Sequence, residues 1–430
     1  MSKATVICGL GYGDEGKGTT VDWLARRERV ALVVRYNGGA QAAHNVVAGE
    51  RHHTFAQLGS ASFSGVPTLL SRFVLVNPLS LFAEACGFGE GALDLVRVER
   101  DALVTTPFHV AANRLREMAR TGRHGSCGMG IGETTADFLE VGDEVLRVRD
   151  LADPVVTRRK LESLRARKIA SLEDLPYPRA SRERDVLFGD RTIELALDAY
   201  GTFARRVSIV DASFLPRELA KGGHVVFEGA QGVLLDQDFG FQPYTTWTDI
   251  TFANAMELLS GFGGEVVRLG VLRAYMTRHG NGPFVSEDPA LCRLSAHDHN
   301  GWSEWQHGFR SGAYDEVATR YALDVLRGVD ALAMTNLDRL DLVDGDVPIV
   351  TAYEGATDAT LFESPSRIRV KRPLDLAHQE ALTCALLLVR PVYERLALRG
   401  LAYAEMVASR LGVPLAMASF GPRAEDKLAL

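Results

Sequence analysis

The sequence is short of cysteine, of long apolar runs and of basic excess, and each shortage excludes something. Its five cysteines (Cys8, Cys86, Cys127, Cys292 and Cys384) are odd in number and far apart in 430 residues, so a complete disulfide framework is impossible. No CxxC pair offers a zinc spacing. Reduced thiols in a cytoplasm are the expectation. No apolar run reaches the roughly 18 residues of a membrane span. The N-terminal segment turns glycine-rich at Gly9, too soon for a signal-peptide apolar region. Lys and Arg number 48 against 55 Asp and Glu, giving a net charge of −7. That balance argues against a general nucleic-acid or membrane-surface partner while leaving room for a local phosphate pocket. There is no internal repeat and no low-complexity linker.

What is present is an ordinary globular composition, 46% hydrophobic and 24% charged. Residues 5–8 form a short, apolar, β-prone run; residues 9–18 form a glycine loop; residues 19–27 have helical spacing, with Val21, Leu24 and Ala25 on one side; residues 31–36 are apolar again. Strand–helix–strand order implies a parallel pair with a right-handed crossover. Further strand candidates are 73–76, 224–227, 266–272, 331–334 and 415–419, with helical patterns at 108–120, 315–326 and 379–398. The highly charged stretch 156–184 reads as a solvated helical excursion. The expected fold is α/β: a large, mostly parallel central sheet with helices on both faces, a P-loop-like glycine loop after the first strand, and one domain over 1–430 with insertions.

The loop Gly9-Leu10-Gly11-Tyr12-Gly13-Asp14-Glu15-Gly16-Lys17-Gly18-Thr19 carries the first chemical signal. Glycines let backbone N–H groups approach phosphate oxygens, and the following helix start adds a favourable dipole. Gly11-x4-Gly16-Lys17 fits a P-loop, but Gly18 stands where Ser or Thr is required. A glycine-rich turn with a surface lysine is the alternative. Asp14 and Glu15 would repel phosphates unless one carboxylate binds Mg²⁺ or serves as a base.

Six segments in order then resemble the adenylosuccinate synthetase family: residues 13–18; Arg35-Tyr36-Asn37-Gly38-Gly39 with His44; Phe227-Glu228-Gly229-Ala230-Gln231-Gly232 with Pro243-Tyr244-Thr245-Thr246; residues 274–284; Thr335-Asn336-Leu337-Asp338; and Ser419-Phe420-Gly421-Pro422. The resemblance implies a GTP-dependent carbon–nitrogen ligase of purine biosynthesis, with Mg²⁺ as cofactor and GTP as co-substrate. A purine nucleotide and an amino acid would be its small-molecule partners; a cytoplasmic homodimer with no nucleic-acid or membrane partner is expected. It implies Asp14 as general base, His44 as the group stabilising the attacking 6-oxygen, and Lys17 on the transferring phosphate. Asp14 and the backbone of Ala43 would hold the metal. Gly13, Glu15, Gly16, Gly18 and Thr19 would meet the donor's phosphates, and Asn336, Asp338, Ser419 and Gly421 its base. Gln41, Cys127, Gln231, Thr246 and Arg310 would meet the acceptor and the amine.

The departures from the family's pattern fall on substrate contacts. Gln41 replaces an asparagine and Cys127 a threonine that touch the nucleotide's 5′-phosphate, and the arginine that reaches that phosphate aligns near Val141. In the aspartate loop, residues 303–311, only Arg310 of the clustered arginines survives, and Glu304 adds a negative charge; Arg273, Arg278 or Arg293 would have to compensate. Asn336 stands where a lysine is usual. These changes admit a second reading, a specialised relative that keeps phosphoryl activation but uses another amine or acceptor. A third, a nucleotide-binding regulator without turnover, does not require both Asp14 and His44. His297, Asp298, His299 and His307 lack a reliable ligand spacing. Phe284, Trp302 and Trp305 have no basic stripe beside them and read as loop packing.

Overall fold

The computed structural model describes residues 2–122, 124–295, 304–305 and 308–430. Its centre is a ten-stranded sheet. In chain order the strands are β1 Lys3–Gly9, β2 Val30–Arg35, β3 Thr68–Leu70, β4 Val96–Glu99, β5 Ser208–Val210, β6 His224–Gly232, β7 Glu265–Arg273, β8 Ala331–Thr335, β9 Leu415–Ser419 and β10 Lys427–Ala429. Across the sheet they run β10-β9-β8-β7-β1-β6-β2-β3-β4-β5. Every neighbouring pair is parallel except β9 with β10. The central strands read as continuous apolar runs because both faces are covered, as a parallel sheet requires. One core gathers Val6, Cys8, Val34, Phe227 and Leu272; Ile7, Val33, Val226 and Val271 point the opposite way, onto helix α1, Lys17–Arg27.

Parallel direction places the exits from β1, β2, β6, β7, β8 and β9 at one edge, where open α/β sheets hold their ligands. The chain leaves there at Gly9, Arg35, Gly232, Arg273, Thr335 and Ser419.

Three expectations need correction. The helical pattern over 379–398 is a helix only at Leu376–Leu386; the chain then forms the edge strand Arg390–Leu396, antiparallel to Val347–Glu354. Pro391 explains the break, since it has no N–H to give and clashes with a preceding turn. Strand 73–76 shrinks to Leu75–Val76, paired with Leu103–Val104 outside the large sheet. The charged stretch 156–184 is not merely solvated. Helix Pro154–Leu172 buries Leu161, Leu164 and Leu172 against helices Pro107–Ala119 and Thr192–Arg206. Its buried lysines are paired: Lys160 donates to Asp150 at 2.9 Å, and Lys168 lies 2.9 Å from Asp137.

Candidate active site

A cavity of about 940 Å³ opens at the carboxyl edge of the sheet. The glycine loop forms one wall, and its own side chain decides its shape. The Glu15 carboxylate turns inward, accepts from the N–H of Gly11 at 3.0 Å and of Gly13 at 2.8 Å, and pairs with Lys17 at 2.6 Å. Both side chains are almost fully buried. A Cβ on Gly9 would sit 2.2 Å from a Glu15 oxygen and one on Gly232 2.4 Å, so these glycines make room for an anion belonging to the protein itself. Glu15 thus braces the loop from behind and does not line the cavity, whereas Gly13, Gly16, Lys17, Gly18 and Thr19 do.

Gly18 now has a physical reason. A Cβ there would lie 2.6 Å from the His44 Cβ and 2.8 Å from Ser60 Oγ. The Ser or Thr of a standard P-loop would expel His44, which sits on the hairpin strand His44–Ala48 packed over the start of α1.

His44 is buried, with Nδ1 2.5 Å from Glu228 on β6. Glu228 also accepts from Ser60 N at 2.9 Å and from Ser60 Oγ at 2.5 Å. Burial pushes the Glu228 carboxyl up, but the buried Arg35 guanidinium, His44 and Ser60 together hold it at about 2. An ionised carboxylate only accepts, so Nδ1–H donates to it and Nε2 is the ring nitrogen left for a ligand. Burial lowers the His44 pKa, against the pull of Glu228.

Asp14 stands in the loop at φ 61, with its carboxylate 3.1 Å from His279 Nε2. Burial pushes its pKa up; the His279 hydrogen bond and charge, with Arg273 and Lys17, outweigh that and bring it to about 2. Arg273 donates to the Asp14 backbone carbonyl at 3.1 Å, and its Nε has no hydrogen-bond partner. Asp14 is accordingly an ionised hard-oxygen donor beside Lys17. Ala43 lines the same cavity, and a carboxylate of this kind is the hard-oxygen ligand that Mg²⁺ takes, one or two to a shell completed by phosphate and water.

At the far end of the loop, Thr335 Oγ1 donates to Glu15 O at 2.6 Å, and Thr19 Oγ1 donates to Pro422 O at 3.0 Å. These bonds tie the turn at Asn336–Asp338 and the turn at Ser419–Gly421 to the start of α1, and all four residues line the cavity. Asn336 has φ 60 and Gln231 φ 58; with Asp14, three of the four non-glycine residues of positive φ among the described residues face this cavity. Such strain persists where the surrounding structure fixes it, and it clusters at functional sites.

The remaining wall carries Gln41, Cys127, Gln231 and Thr246. Gln41 Oε1 and Nε2 and Gln231 Oε1 are buried without a hydrogen-bond partner. Cys127 is kept a neutral thiol by burial. Thr246 is placed by its backbone bond to Leu235 at 2.9 Å, and the loop behind it is organised by Asp236, which accepts from Ile250, Asp238 and Phe239.

Arg310 alone of the expected substrate residues lies off this surface. It donates to Glu287 at 2.8 Å and to the Gly282 carbonyl at 2.9 Å, and stacks over Phe284. Of its possible substitutes, Arg293 is an exposed partner of Asp344, and Arg278 is buried on three backbone carbonyls, of Asn281, Pro283 and Tyr244. Arg273 is the one that lines the cavity with spare donor capacity. Val141 packs in an apolar cluster with Leu75, Leu103 and Ile131. The histidines at 297, 299 and 307, Asp298, Trp302, Ser303 and Gln306 lie outside the described residues; Trp305 stacks under Arg114, its ring centroid 5.0 Å from the guanidinium carbon.

Sequence reasoning gave no role to Glu228 or His279. The first had a signal: an acidic residue inside an apolar strand must find a partner. His279, the last residue of the short strand Met276–His279, had none.

A family model for adenylosuccinate synthetase matches residues 6–428. The adenylosuccinate synthetase of Neisseria meningitidis serogroup C is 29% identical over 447 residues, covering 100% of this chain and 98% of that protein. That of Chlorobium limicola is 33% identical over 365 residues, covering 81% and 80%. Among solved structures, the fully ligated adenylosuccinate synthetase of Plasmodium falciparum superposes with TM-score 0.81 at 20% identity, over 99% of both chains. The succinoaminodeoxyadenylate synthetase of cyanophage S-2L, bound to dGMP and with dATP as energy donor, gives 0.61 at 15% identity, over 100% of this chain and 95% of that one.

Proposed function

The chain belongs to the adenylosuccinate synthetase family and is a carbon–nitrogen ligase with GTP as co-substrate; on that premise we propose that it phosphorylates the 6-oxygen of a 6-oxopurine acceptor, IMP as in the family or a related oxo compound, which an amino-acid amine then displaces. The carrying observation is that Asp14, Lys17 and His44 share one cavity with both turns at its donor end, Asn336–Asp338 and Ser419–Gly421.

In the first step the purine oxygen attacks the γ-phosphorus, the β–γ bond breaks and GDP leaves. Asp14 takes the N1 proton; its bond to His279 must yield to the acceptor for this to happen. His44 Nε2 donates to the oxygen as charge moves through it, with Glu228 favouring the extra proton on the ring. Lys17 transfers its contact from Glu15 to the moving phosphoryl group. Mg²⁺, held by Asp14 and Ala43, would neutralise phosphate charge. In the second step the amine nitrogen bonds to C6, inorganic phosphate leaves with the former 6-oxygen, and the amine gives up a proton. The whole chain, 1–430, is proposed to act as one unit, as a cytoplasmic homodimer.

One observation favours a variant in which the amine is not aspartate. Arg310, the surviving residue of the carboxylate clamp, is already paired with Glu287. Each charge-assisted bond of such a clamp contributes about 1.5–3 kcal/mol. L-Aspartate therefore needs Arg273 or a rearranged Arg310. The test is GDP release from GTP with a 6-oxopurine acceptor and a panel of amines including L-aspartate. Multiple-turnover release dependent on both acceptor and amine is expected; GTP bound but never turned over would support a regulator instead. A sub-millimolar KM for L-aspartate with ordinary turnover would remove the variant reading.

A further inference from the structure

An acceptor with a 5′-phosphate brings about −1.5 to −2 charges near neutrality into this cavity, and a buried phosphate needs a cation as well as N–H donors. The wall opposite the donor end offers uncharged side chains first: Gln41, Cys127, Gln231 and Thr246, with Trp247 packed on Gly132. Gln41 marks where this wall meets helix Ile131–Val141. A Cβ on Gly39 would lie 3.0 Å from Ile131 Cδ1 and 3.1 Å from Gln41 Oε1, so the carboxamide sits at the start of that helix. Its oxygen and nitrogen are both buried without a hydrogen-bond partner. A helix start and an unused carboxamide suit phosphate oxygens but supply no full positive charge. The cation must come from the lobe beyond, where helices Pro107–Ala119, Ile131–Val141 and Pro154–Leu172 meet.

Four cations line that lobe: Arg116, Arg120, Arg167 and Lys168. Three of them are bound to carboxylates. Arg116 donates to Glu133 and to Ser171 Oγ, each at 2.7 Å, and Arg120 pairs with Glu117. Lys168 donates to Glu133 at 2.7 Å and lies 2.9 Å from Asp137 Oδ1. Glu133, in the first turn of Ile131–Val141, is thereby neutralised by two cations and does not oppose an anion at the helix start. The other oxygen of Asp137 is taken by His109 Nε2 at 2.9 Å. Arg167 is the cation left over. It stands 3.9 Å from Asp137, beyond hydrogen-bond range, and its Nε has no partner. Its one hydrogen bond among the described residues is to the neutral hydroxyl of Ser163, at 2.9 Å on an exposed face.

The distance to be covered is short. Asp137 is five residues beyond Gly132, about 7.5 Å along a helix rising 1.5 Å per residue. The guanidinium beside Asp137 is therefore less than two turns from the Gln41 end, on a side chain that is 23% exposed and anchored by one weak bond. Its planar fork matches two phosphate oxygens at once, which an ammonium does not.

We propose that Arg167 is the specificity-determining cation for the acceptor's 5′-phosphate. It leaves Ser163, swings along helix Ile131–Val141 and meets the phosphate that Gln41 and the helix start receive. The inference rests on the phosphoryl-activation reading above, with a nucleoside monophosphate as acceptor, and assigns one residue within it.

The test uses the full-length protein with inosine 5′-monophosphate and inosine as probes, the binding of each measured by calorimetry. Wild type should bind the monophosphate at least tenfold tighter than inosine, and that preference should shrink as salt is raised. Arg167→Gln keeps a polar side chain and removes the charge. It should weaken the monophosphate by about ten- to a hundredfold, the loss of one charge-assisted contact, and leave inosine within twofold. Arg167→Lys restores the charge without the fork and should fall between the two. Unchanged binding of the monophosphate by Arg167→Gln, or an equal loss for both probes, overturns the proposal, as does a wild type without preference for the monophosphate. Should Arg167→Gln not fold, Arg167→Met, which keeps the apolar stem, carries the same expectation. The activation reading is judged separately: it fails only if wild type releases no GDP from GTP and Mg²⁺ with any acceptor and amine, whatever the binding ratio.

Discussion

Replacing Glu228 with Gln tests the most specific electrostatic arrangement in the site. The substitution keeps size and an acceptor oxygen for His44 Nδ1, so ring orientation is retained, but the negative charge is lost. A hydrogen bond to a charged group contributes about 1.5–3 kcal/mol against 0.5–1.5 for a neutral one, so the imidazolium loses roughly 1–1.5 kcal/mol of support. At 1.36 kcal/mol per pKa unit, that lowers the His44 pKa by about one unit. Burial already holds the ring below its ordinary 6.5, so at pH 7–8 the imidazolium fraction, and with it kcat, should fall about tenfold. The sign is fixed: a donor that is harder to protonate works at lower pH, so the high-pH limb of the kcat profile should move about one unit toward acid. Glu228 does not line the cavity, so KM for GTP should hold. Arg35, itself buried, loses its neighbouring anion, so the variant should melt at a lower temperature, and rates must be taken well below that point. Steady-state kcat between pH 5.5 and 9 is the assay. A profile superimposable on wild type would show that His44 does not act as a charged donor.

Asp14→Asn should abolish acceptor-dependent GDP release while GTP binding stays within about 1.4 kcal/mol, a factor of ten, by calorimetry; turnover near the wild-type rate would refute the base assignment. Gly18→Ala places a methyl 2.6 Å from the His44 Cβ and should lower kcat by roughly 10²–10³, the usual cost of one lost stabilising donor; unchanged kcat would assign His44 to packing. Asp338→Ala should raise KM for GTP by about tenfold or more and leave KM for ATP unchanged, if this turn reads the donor base by charge-assisted bonds; equal effects on both nucleotides would place the base elsewhere.

The sheet was legible because its central strands are buried on both faces and so read as apolar runs, at 5–8, 31–36, 224–227, 266–272 and 331–334. The peripheral strands Thr68–Leu70, Val96–Glu99 and Ser208–Val210 are three or four residues long and leave no period to detect. Pro391 was visible, yet the leucine-rich run before it masked the change from helix to strand. Within the site, residues marked by motif (Asp14, Lys17, His44, Gln231, Asp338) were found at the cavity, because ordered glycines and strand ends fix them. Arg310 was misplaced from it, since a salt bridge with Glu287 depends on a strand pairing that no local pattern encodes. Glu15 was assigned to the donor's phosphates, while its carboxylate serves the loop's own amides.

The left-handed backbone at Asp14, Gln231 and Asn336 has an evolutionary consequence. Residues with a branched Cβ are barred from such positions, and asparagine, aspartate and glycine are favoured. Chemistry at these three points therefore varies within a short alphabet unless the loop itself is rebuilt. Gln41, Cys127 and Trp247 stand on ordinary backbone, where nearly any side chain is sterically admissible. One cavity thus joins a half whose residues are constrained by torsion to a half free to drift, and new acceptors are reached by changing the second without disturbing the first.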